Sequence, residues 1–241
     1  MLALGLLAKP PLFFAHAGGL VSRRRAGLAF GTTFSLLALH KNRKDLDAAL
    51  DESVAVIRRV HRTMSLFDRD SDVSRLNRNG FLRQPDRWLV EILDVCRTIS
   101  ETSEGAFDVT IQPLWSVWWA AASRGERPTE EQIARARTLV DWRRVVADRD
   151  AVSLGAPGMA ITLNGIAQGF ACDQVMRALV AHGVDHAFID TGEFGARGRS
   201  GEGRGWRLAV RHPRDLSRYA KIIDPFEGFS ATSGDEELAF T

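Results

Sequence analysis

The sequence predicts an α+β fold, in which helices and strands alternate irregularly along the chain. Apolar residues recur at helical spacing in three segments, 43–64, 88–99 and 167–181. A doubly wound parallel sheet would require a regular alternation of strand and helix, which this chain lacks. Short apolar runs bounded by turn residues are typical of strands, and they occur at 145–147, 151–154, 159–163, 186–190, 206–211 and 219–223.

Capping and turn residues predict the remaining boundaries. Ser71 or Asp72 is expected to cap a short helix over 71–77. Thr129 with Gln132 has the pattern of a capping box, at the start of a helix that ends near Val140. The other predicted features are a poorly structured segment over 1–26, a strand over 28–39 interrupted by Gly31, a helix end at Gly183 and a hairpin loop over 201–205.

Composition narrows the class of protein. The chain has 241 residues, 45% of them hydrophobic and 26% charged, which is ordinary for a globular protein. A net charge of +2 gives no reason to expect a nucleic-acid partner. There is no run of 18 apolar residues, so no transmembrane helix is predicted. Cys96 and Cys172 are expected to be small buried hydrophobes, and the six histidines lack the spacing of a zinc site.

The segment from Thr162 to Asp173 has the clearest functional pattern. An apolar strand is predicted to end at Leu163, and a helix to begin directly after Asn164 and Gly165. Glycines at 165 and 169 let a ligand approach the backbone closely. The first N–H groups of a helix have no partner inside it and carry partial positive charge. This arrangement is typical of a phosphate or pyrophosphate site.

Two other segments contain residues that could bind a ligand. Asp108 lies within an apolar run, where a lone carboxylate is costly. It therefore either caps a local turn or faces a ligand, and the sequence leaves both open. Thr232, Ser233 and Gly234 form a turn that is either ordinary or able to hold phosphate oxygens.

Six short segments follow one another along the chain. They are 30–32 (Phe-Gly-Thr), 64–67 (Met-Ser-Leu-Phe) with 74–77 (Ser-Arg-Leu-Asn), 105–108 (Gly-Ala-Phe-Asp), 162–173, 190–192 (Asp-Thr-Gly) and 231–234 (Ala-Thr-Ser-Gly). In this order they resemble the ApbE family of FAD:protein FMN transferases. The resemblance implies a two-lobed, T-fold-like arrangement of mixed sheets with flanking helices, over residues 27–241, with FAD held in the cleft.

The resemblance also implies a Mg²⁺-dependent reaction. A Thr hydroxyl on a partner protein attacks the FMN phosphate of FAD and AMP leaves. No catalytic side chain is assigned, and the backbone of Gly165 is expected to be one metal ligand, with the remaining ligands beyond Thr241. The cofactor-binding residues that the resemblance implies are Phe30, Gly31, Phe67, Ala106, Phe107, Asp108, Asn164, Gly165, Gln168, Asp173, Thr232, Ser233 and Gly234.

Departures from the family pattern refine the expectation. Gln168 stands where the family usually has Lys, and Gly192-Glu193-Phe194 replaces the usual Gly-Gly-Asp. These features resemble the NosX-like branch, periplasmic accessory proteins of nitrous-oxide reduction thought to flavinylate a membrane-bound respiratory protein. An apolar run at 2–7 followed by Ala15-His16-Ala17 also resembles an export signal, without its positively charged start.

The end of the chain suggests an alternative function. The family continues beyond its Thr-Ser-Gly turn with a segment that contributes an Asp and a Thr to the metal site, whereas this sequence stops at Thr241. The alternative to an active transferase is therefore a non-catalytic FAD-binding pseudo-enzyme or a truncated remnant of the same family.

Overall fold

The predicted α+β fold is confirmed by the computed structural model, which describes residues 19–233 apart from the side chain of Leu216. The strands in those residues form a five-stranded, a three-stranded and a two-stranded sheet. The chain divides into two compact units. Among the described residues, the first comprises 19–58 with 168–233, and the second comprises 59–167.

The elements alternate irregularly along the chain. The helices are α1 (Arg43–Met64), α2 (Asp72–Asn79), α3 (Arg87–Thr102), α4 (Gln112–Ala122), α5 (Glu130–Arg137) and α6 (Ala167–Ala181). The strands are β1 (Val21–Ala29), β2 (Thr32–His40), β3 (Phe81–Arg83), β4 (Val145–Ala147), β5 (Ala151–Leu154), β6 (His186–Asp190), β7 (Phe194–Arg197), β8 (Trp206–His212), β9 (Asp215–Phe226) and β10 (Gly228–Ser230). Within the described residues, none of these helices has the length and apolarity needed to cross a bilayer.

The first unit is built on an antiparallel sheet with the strand order β1-β2-β6-β7-β10. Its core lies between this sheet and helices α1 and α6. Leu46 and Leu50 from α1, Leu179 from α6, and Leu36 and Ile189 from the sheet are all fully buried in one cluster. The apolar spacing predicted for α1 is therefore confirmed, because that side of the helix packs on the sheet.

The hairpin between β1 and β2 corrects two predictions. Phe30 and Gly31 both have positive φ angles, 56° and 78°, as a two-residue type I′ turn requires. The segment 28–39 is therefore parts of two strands and not one interrupted strand. Residues 21–26, expected to be poorly structured, belong to β1, because every residue of β1 pairs with β2 and Arg25 bonds to Asp47 of α1.

The second unit contains α2–α5 and a small sheet with the order β3-β5-β4. The strand predicted over 159–163 is absent from that sheet. The side-chain amide of Asn77 donates to the carbonyl of Ile161 and accepts from its N–H, both at 2.8 Å. The N–H of Thr162 donates to the carbonyl of Val109 at 2.8 Å. The run is apolar because it is buried, and side-chain and loop groups replace a strand partner.

Three predicted boundaries are confirmed by their hydrogen bonds and backbone angles. The Ser71 hydroxyl accepts from Ser74 N–H at the start of α2. The capping box of Thr129 and Gln132 is complete at the start of α5, and Gly183 has a φ of 70° directly after α6. These features depend only on near neighbours in sequence, so the local pattern predicts them.

Four elements have no counterpart in the sequence prediction: β3, β7, β10 and α4. The three strands have only three or four residues each, a length at which periodicity alone does not identify a strand; β4 and β5 are equally short but were predicted from their apolar runs. Helix α4 has apolar residues on almost all sides, with Trp115 and Trp119 stacked at 5.2 Å between ring centroids, so no single apolar stripe marks it.

Both cysteines are buried and free, as predicted. Burial raises the pKa of Cys96 and that of Cys172 to about 12. The thiolate is the reactive form of cysteine, so neither side chain is set up as a nucleophile at neutral pH.

Candidate functional site

The second unit contains a cavity of about 660 Å³, within the range of small-molecule sites. Its wall combines the segment after α3 with the segment before β4 and part of the 162–173 segment. The lining residues are Gly105, Ala106, Phe107, Asp108, Val109, Ile111, Thr138, Val140, Asp141, Trp142, Arg143, Arg144, Thr162 and Gly165.

Asp108 joins two parts of this wall. One carboxylate oxygen accepts from the N–H of Thr110 at 2.7 Å and from its hydroxyl at 2.6 Å. The other oxygen accepts from the N–H of Trp142 at 3.1 Å. The Thr110 hydroxyl in turn accepts from the N–H of Asp141 at 2.8 Å. Of the two roles left open by the sequence, the structure therefore supports capping, although Asp108 also lines the cavity.

The cavity wall is aromatic and cationic as well as apolar. The Arg143 guanidinium lies 4.5 Å from the centroid of the Trp142 ring and 3.7 Å from the Asp141 carboxylate. Arg144 donates to the carbonyl of Thr138 at 3.2 Å. Aromatic rings bind planar groups by stacking, and guanidinium groups bind phosphate and carboxylate oxygens. A planar ligand with negative charge matches this wall.

The backbone at Gly165 has room for a ligand. A Cβ atom placed on Gly165 would meet only the Phe107 ring, at 4.0 Å, and one placed on Gly169 would meet nothing within 4 Å. Neither glycine has a positive φ angle, so backbone conformation does not explain why glycine is present at these two positions. Their absence of a side chain is therefore compatible with the close approach that the sequence predicts.

The expectation of free N–H groups at the start of α6 is partly wrong. Ile166 and Ala167 both donate to the carbonyl of Leu163, at 2.9 and 2.8 Å, and Asn164 donates to the Thr162 hydroxyl at 3.2 Å. The turn before the helix supplies these acceptors, so its earliest donors are already satisfied.

In the first unit, the three-residue loop 191–193 between β6 and β7 contacts the start of α6. The Thr191 hydroxyl donates to the carbonyl of Gln168 at 3.2 Å, and the Gly192 N–H donates to the Asp190 carboxylate at 3.1 Å. Gly192 has a φ of 94°, and a Cβ there would lie 2.2 Å from the Gln168 amide nitrogen. The Gln168 side chain therefore lies directly on the loop backbone, and the positive φ of Gly192 favours glycine at this position.

Glu193 connects the same loop to the segment after β10. Its carboxylate accepts from the N–H of Thr232 at 3.1 Å. Burial raises the pKa of Asp190 and that of Glu193, and for Glu193 the neighbouring Asp190 charge adds to the rise. Burial also raises the pKa of Asp173, and the positive charge of Arg177 opposes this rise.

Within residues 19–233, no three His, Cys, Asp or Glu side chains come together as a metal site would require.

The structure distributes the predicted site residues as follows. Ala106, Phe107, Asp108 and Gly165 line the cavity, and Asn164 is exposed beside Gly165. Gln168 and Thr232 bond to loop 191–193, with Ser233 following. Phe30 and Gly31 form the β1–β2 turn, Asp173 lies on α6, Phe67 is 68% exposed and outside the cavity wall, and Gly234 lies outside the described residues.

Sequence reasoning missed six of the fourteen residues that line the cavity, namely Thr138, Val140, Asp141, Trp142, Arg143 and Arg144. The one local signal is an aromatic residue followed by two arginines between a helix and a strand. That pattern is common on protein surfaces, so it did not identify a site. Its meaning depends on Asp108, which binds this segment from 34 positions away in the sequence.

An α+β fold with a cavity of this size and lining is typical of proteins that bind a small molecule. Residues 30–241 match the family model described as the ApbE family, and the chain belongs to that family.

The relatives of the chain include proteins named FAD:protein FMN transferase. Those of Haemophilus influenzae and Vibrio cholerae are each 27% identical to it, over 229 and 221 residues, covering 89% and 87% of this chain. The chain spans 66% and 65% of their lengths. The apo structure of the flavinyl transferase ApbE from Pseudomonas stutzeri is 29% identical in sequence, with a TM-score of 0.72. The superposition covers 86% of this chain and 66% of the Pseudomonas stutzeri chain.

Proposed function

We propose that the protein transfers FMN from FAD to a threonine hydroxyl of a partner protein. The supporting observation is the cavity in the second unit, where the predicted nucleotide-binding segment Ala106–Asp108 lies in one wall with Gly165. Membership of the ApbE family and the names of the relatives support the same activity. Because the chain spans only about two thirds of those relatives, the activity is a proposal for this chain.

The cavity provides the contacts that one ring system and the diphosphate of FAD would need. Phe107 and Trp142 offer aromatic surface for a planar ring, and Arg143 and Arg144 offer positive charge for phosphate oxygens. The open backbone at Gly165 allows a phosphate to approach closely. In this proposal the residues bind and orient FAD, and Asp108 holds the two halves of the wall in place.

The proposed reaction is a phosphoryl-type transfer. The acceptor threonine oxygen forms a bond to the FMN phosphorus, the bond from that phosphorus to the bridging oxygen breaks, and AMP leaves with that oxygen. The hydroxyl proton of the threonine is lost to solvent. The protein's contribution is to position the diphosphate and to offset the negative charge that develops on it, which Arg143 and Arg144 can do.

Dependence on Mg²⁺ is part of the proposal and follows from the family resemblance. Mg²⁺ prefers several oxygen ligands, usually carboxylates and water. The described residues hold no group of three carboxylate, imidazole or thiol side chains, so they do not form a complete protein shell for the ion. We therefore assign no step to the metal. If the dependence is correct, EDTA will abolish transfer and added Mg²⁺ will restore it.

The proposal also concerns which protein accepts the FMN and in which cellular compartment the enzyme works. Gln168 and Gly192-Glu193-Phe194 differ from the usual family residues and support placement in the NosX-like branch. In that branch the acceptor would be a membrane-bound respiratory protein of nitrous-oxide reduction, and the enzyme would work in the periplasm. Fractionation of cells that express the full-length protein tests the compartment, and recovery in the cytoplasm alone would contradict it.

One experiment tests the transfer. The protein is incubated with FAD, Mg²⁺ and a peptide that carries an acceptor threonine, and the peptide is weighed by mass spectrometry. A mass gain of one FMN, absent from the matched peptide with Thr→Ala, supports the proposal. Stabilisation by FAD without transfer supports the alternative, a non-catalytic FAD-binding protein. If FAD neither stabilises the protein nor donates FMN to the peptide, both hypotheses are overturned.

A further inference from the structure

Two buried polar atoms next to the ligand cavity have no hydrogen-bond partner among the described residues. They are the hydroxyl of Ser100 on α3 and the indole nitrogen of Trp142. The Ser100 residue is fully buried, and both atoms are inaccessible to solvent. Leaving a buried polar group unpaired is costly, and a group without a protein partner is generally satisfied by an ordered water.

Both residues line the same small cavity, which has a volume of about 30 Å³. A cavity of this volume has room for a water molecule, which needs two or more polar partners. Two other polar side chains in the wall, Asp94 and Arg97, already pair with each other at 2.9 Å. The full lining is Leu93, Asp94, Cys96, Arg97, Ser100, Val109, Trp142, Val145 and Ala147.

We propose that one internal water molecule occupies this cavity and joins the Ser100 hydroxyl to the Trp142 indole. The indole N–H can only donate, so the water accepts its hydrogen. A serine hydroxyl both donates and accepts, so it satisfies either orientation of the water. The bridge gives each of the two buried atoms a partner and uses no other residue.

The water would determine the orientation of part of the ligand-binding wall. Trp142 lines both the small cavity and the 660 Å³ cavity. Its backbone N–H is bound by Asp108, and the water would bind its side chain. Ser100 is then a positioning residue that acts on the ligand through Trp142, without lining the ligand cavity. The effect on ligand affinity rests on the proposed binding of FAD.

Nuclear magnetic resonance of the full chain with ¹⁵N-labelled tryptophan tests the bridge. The Trp142 indole signal is assigned from its loss in Trp142→Phe. In the wild type we expect a magnetisation transfer from water to this indole hydrogen and slow exchange with solvent. In Ser100→Ala the signal shifts and the transfer disappears. The Kd for FAD rises about 2–10-fold, as loss of one hydrogen bond implies.

Ser53→Ala is the matched control. Ser53 is also fully buried on a helix, but its hydroxyl already donates to the Ala49 carbonyl at 2.7 Å. This variant should leave the Trp142 signal and the FAD affinity unchanged, even if it lowers stability.

Three results bear directly on the bridge. Absence of the water-to-indole transfer in the wild type overturns it, as does an unchanged Trp142 signal in Ser100→Ala. A high-resolution crystal structure with no density between the two side chains would contradict it equally. If wild-type protein does not bind FAD, the proposed function fails, while the resonance and density measurements still decide whether the water is present.

Discussion

Replacement of Asp108 by asparagine tests whether this carboxylate holds the ligand cavity together. Asparagine has nearly the same shape but only one acceptor oxygen. If that oxygen takes the position that accepts from both groups of Thr110, the new amide NH₂ faces the N–H of Trp142. Two donors then face each other, and the hydrogen bond from Trp142 to Asp108 across the wall is lost.

The expected destabilisation can be estimated from these three bonds. A hydrogen bond to a charged group contributes about 1.5–3 kcal/mol, and an unpaired buried N–H costs a similar amount. We expect Asp108→Asn to lower the free energy of unfolding by about 2–4 kcal/mol. For a chain of this size each kcal/mol corresponds to a change in Tm of about 2–4 °C. FAD binding should weaken as well, because Trp142 is in the cavity wall.

Thermal and urea unfolding followed by circular dichroism measure the stability, and calorimetric titration measures FAD binding. Asp94→Asn is the matched control. Asp94 pairs only with Arg97 on the surface of α3, where both side chains are more than half exposed, and such pairs contribute about 0–1 kcal/mol. If Asp108→Asn unfolds at the same temperature as this control, Asp108 does not hold the wall in the way described.

Two further predictions concern the first unit. Burial raises the pKa of Asp190, so the charge of this carboxylate destabilises the fold as pH rises through that pKa. Asp190→Asn keeps the acceptor for Gly192 and should raise Tm at about pH 7–8 but not near pH 4. A difference in Tm that does not change with pH would refute this prediction. Gly198→Ala would place a Cβ against the backbone carbonyl oxygen of Asp185, so this variant should have a much lower Tm than Gly203→Ala. Gly203 also has a positive φ, but a Cβ there would meet nothing within 4 Å. Equal melting temperatures of the two variants would contradict the clash.

Features that depend on near neighbours were predictable from the sequence. The cap at Ser71, the capping box at Thr129 and the end of α6 at Gly183 each require only residues within a few positions. The capping role of Asp108 was also one of the two roles its local sequence allowed. In each case the physical cause is a hydrogen bond or backbone angle within one turn of the chain.

The apolar run at 159–163 shows where local patterns mislead. Its composition is equally consistent with a strand and with any buried extended segment. The choice was made by Asn77, which lies 84 positions earlier and satisfies both backbone groups of Ile161. Nothing in residues 159–163 themselves indicates that partner.

By itself, the sequence determined the α+β class, most helices with their caps, and one part of the 660 Å³ cavity wall, through the segment Ala106–Asp108 and Gly165. Only the tertiary structure decided the part of the wall from Thr138 to Arg144, and the convergence of Ser100 and Trp142 on one small cavity. The reason is that these contacts join residues tens of positions apart. Their free energy depends on burial and geometry in the folded chain, which local periodicity does not report.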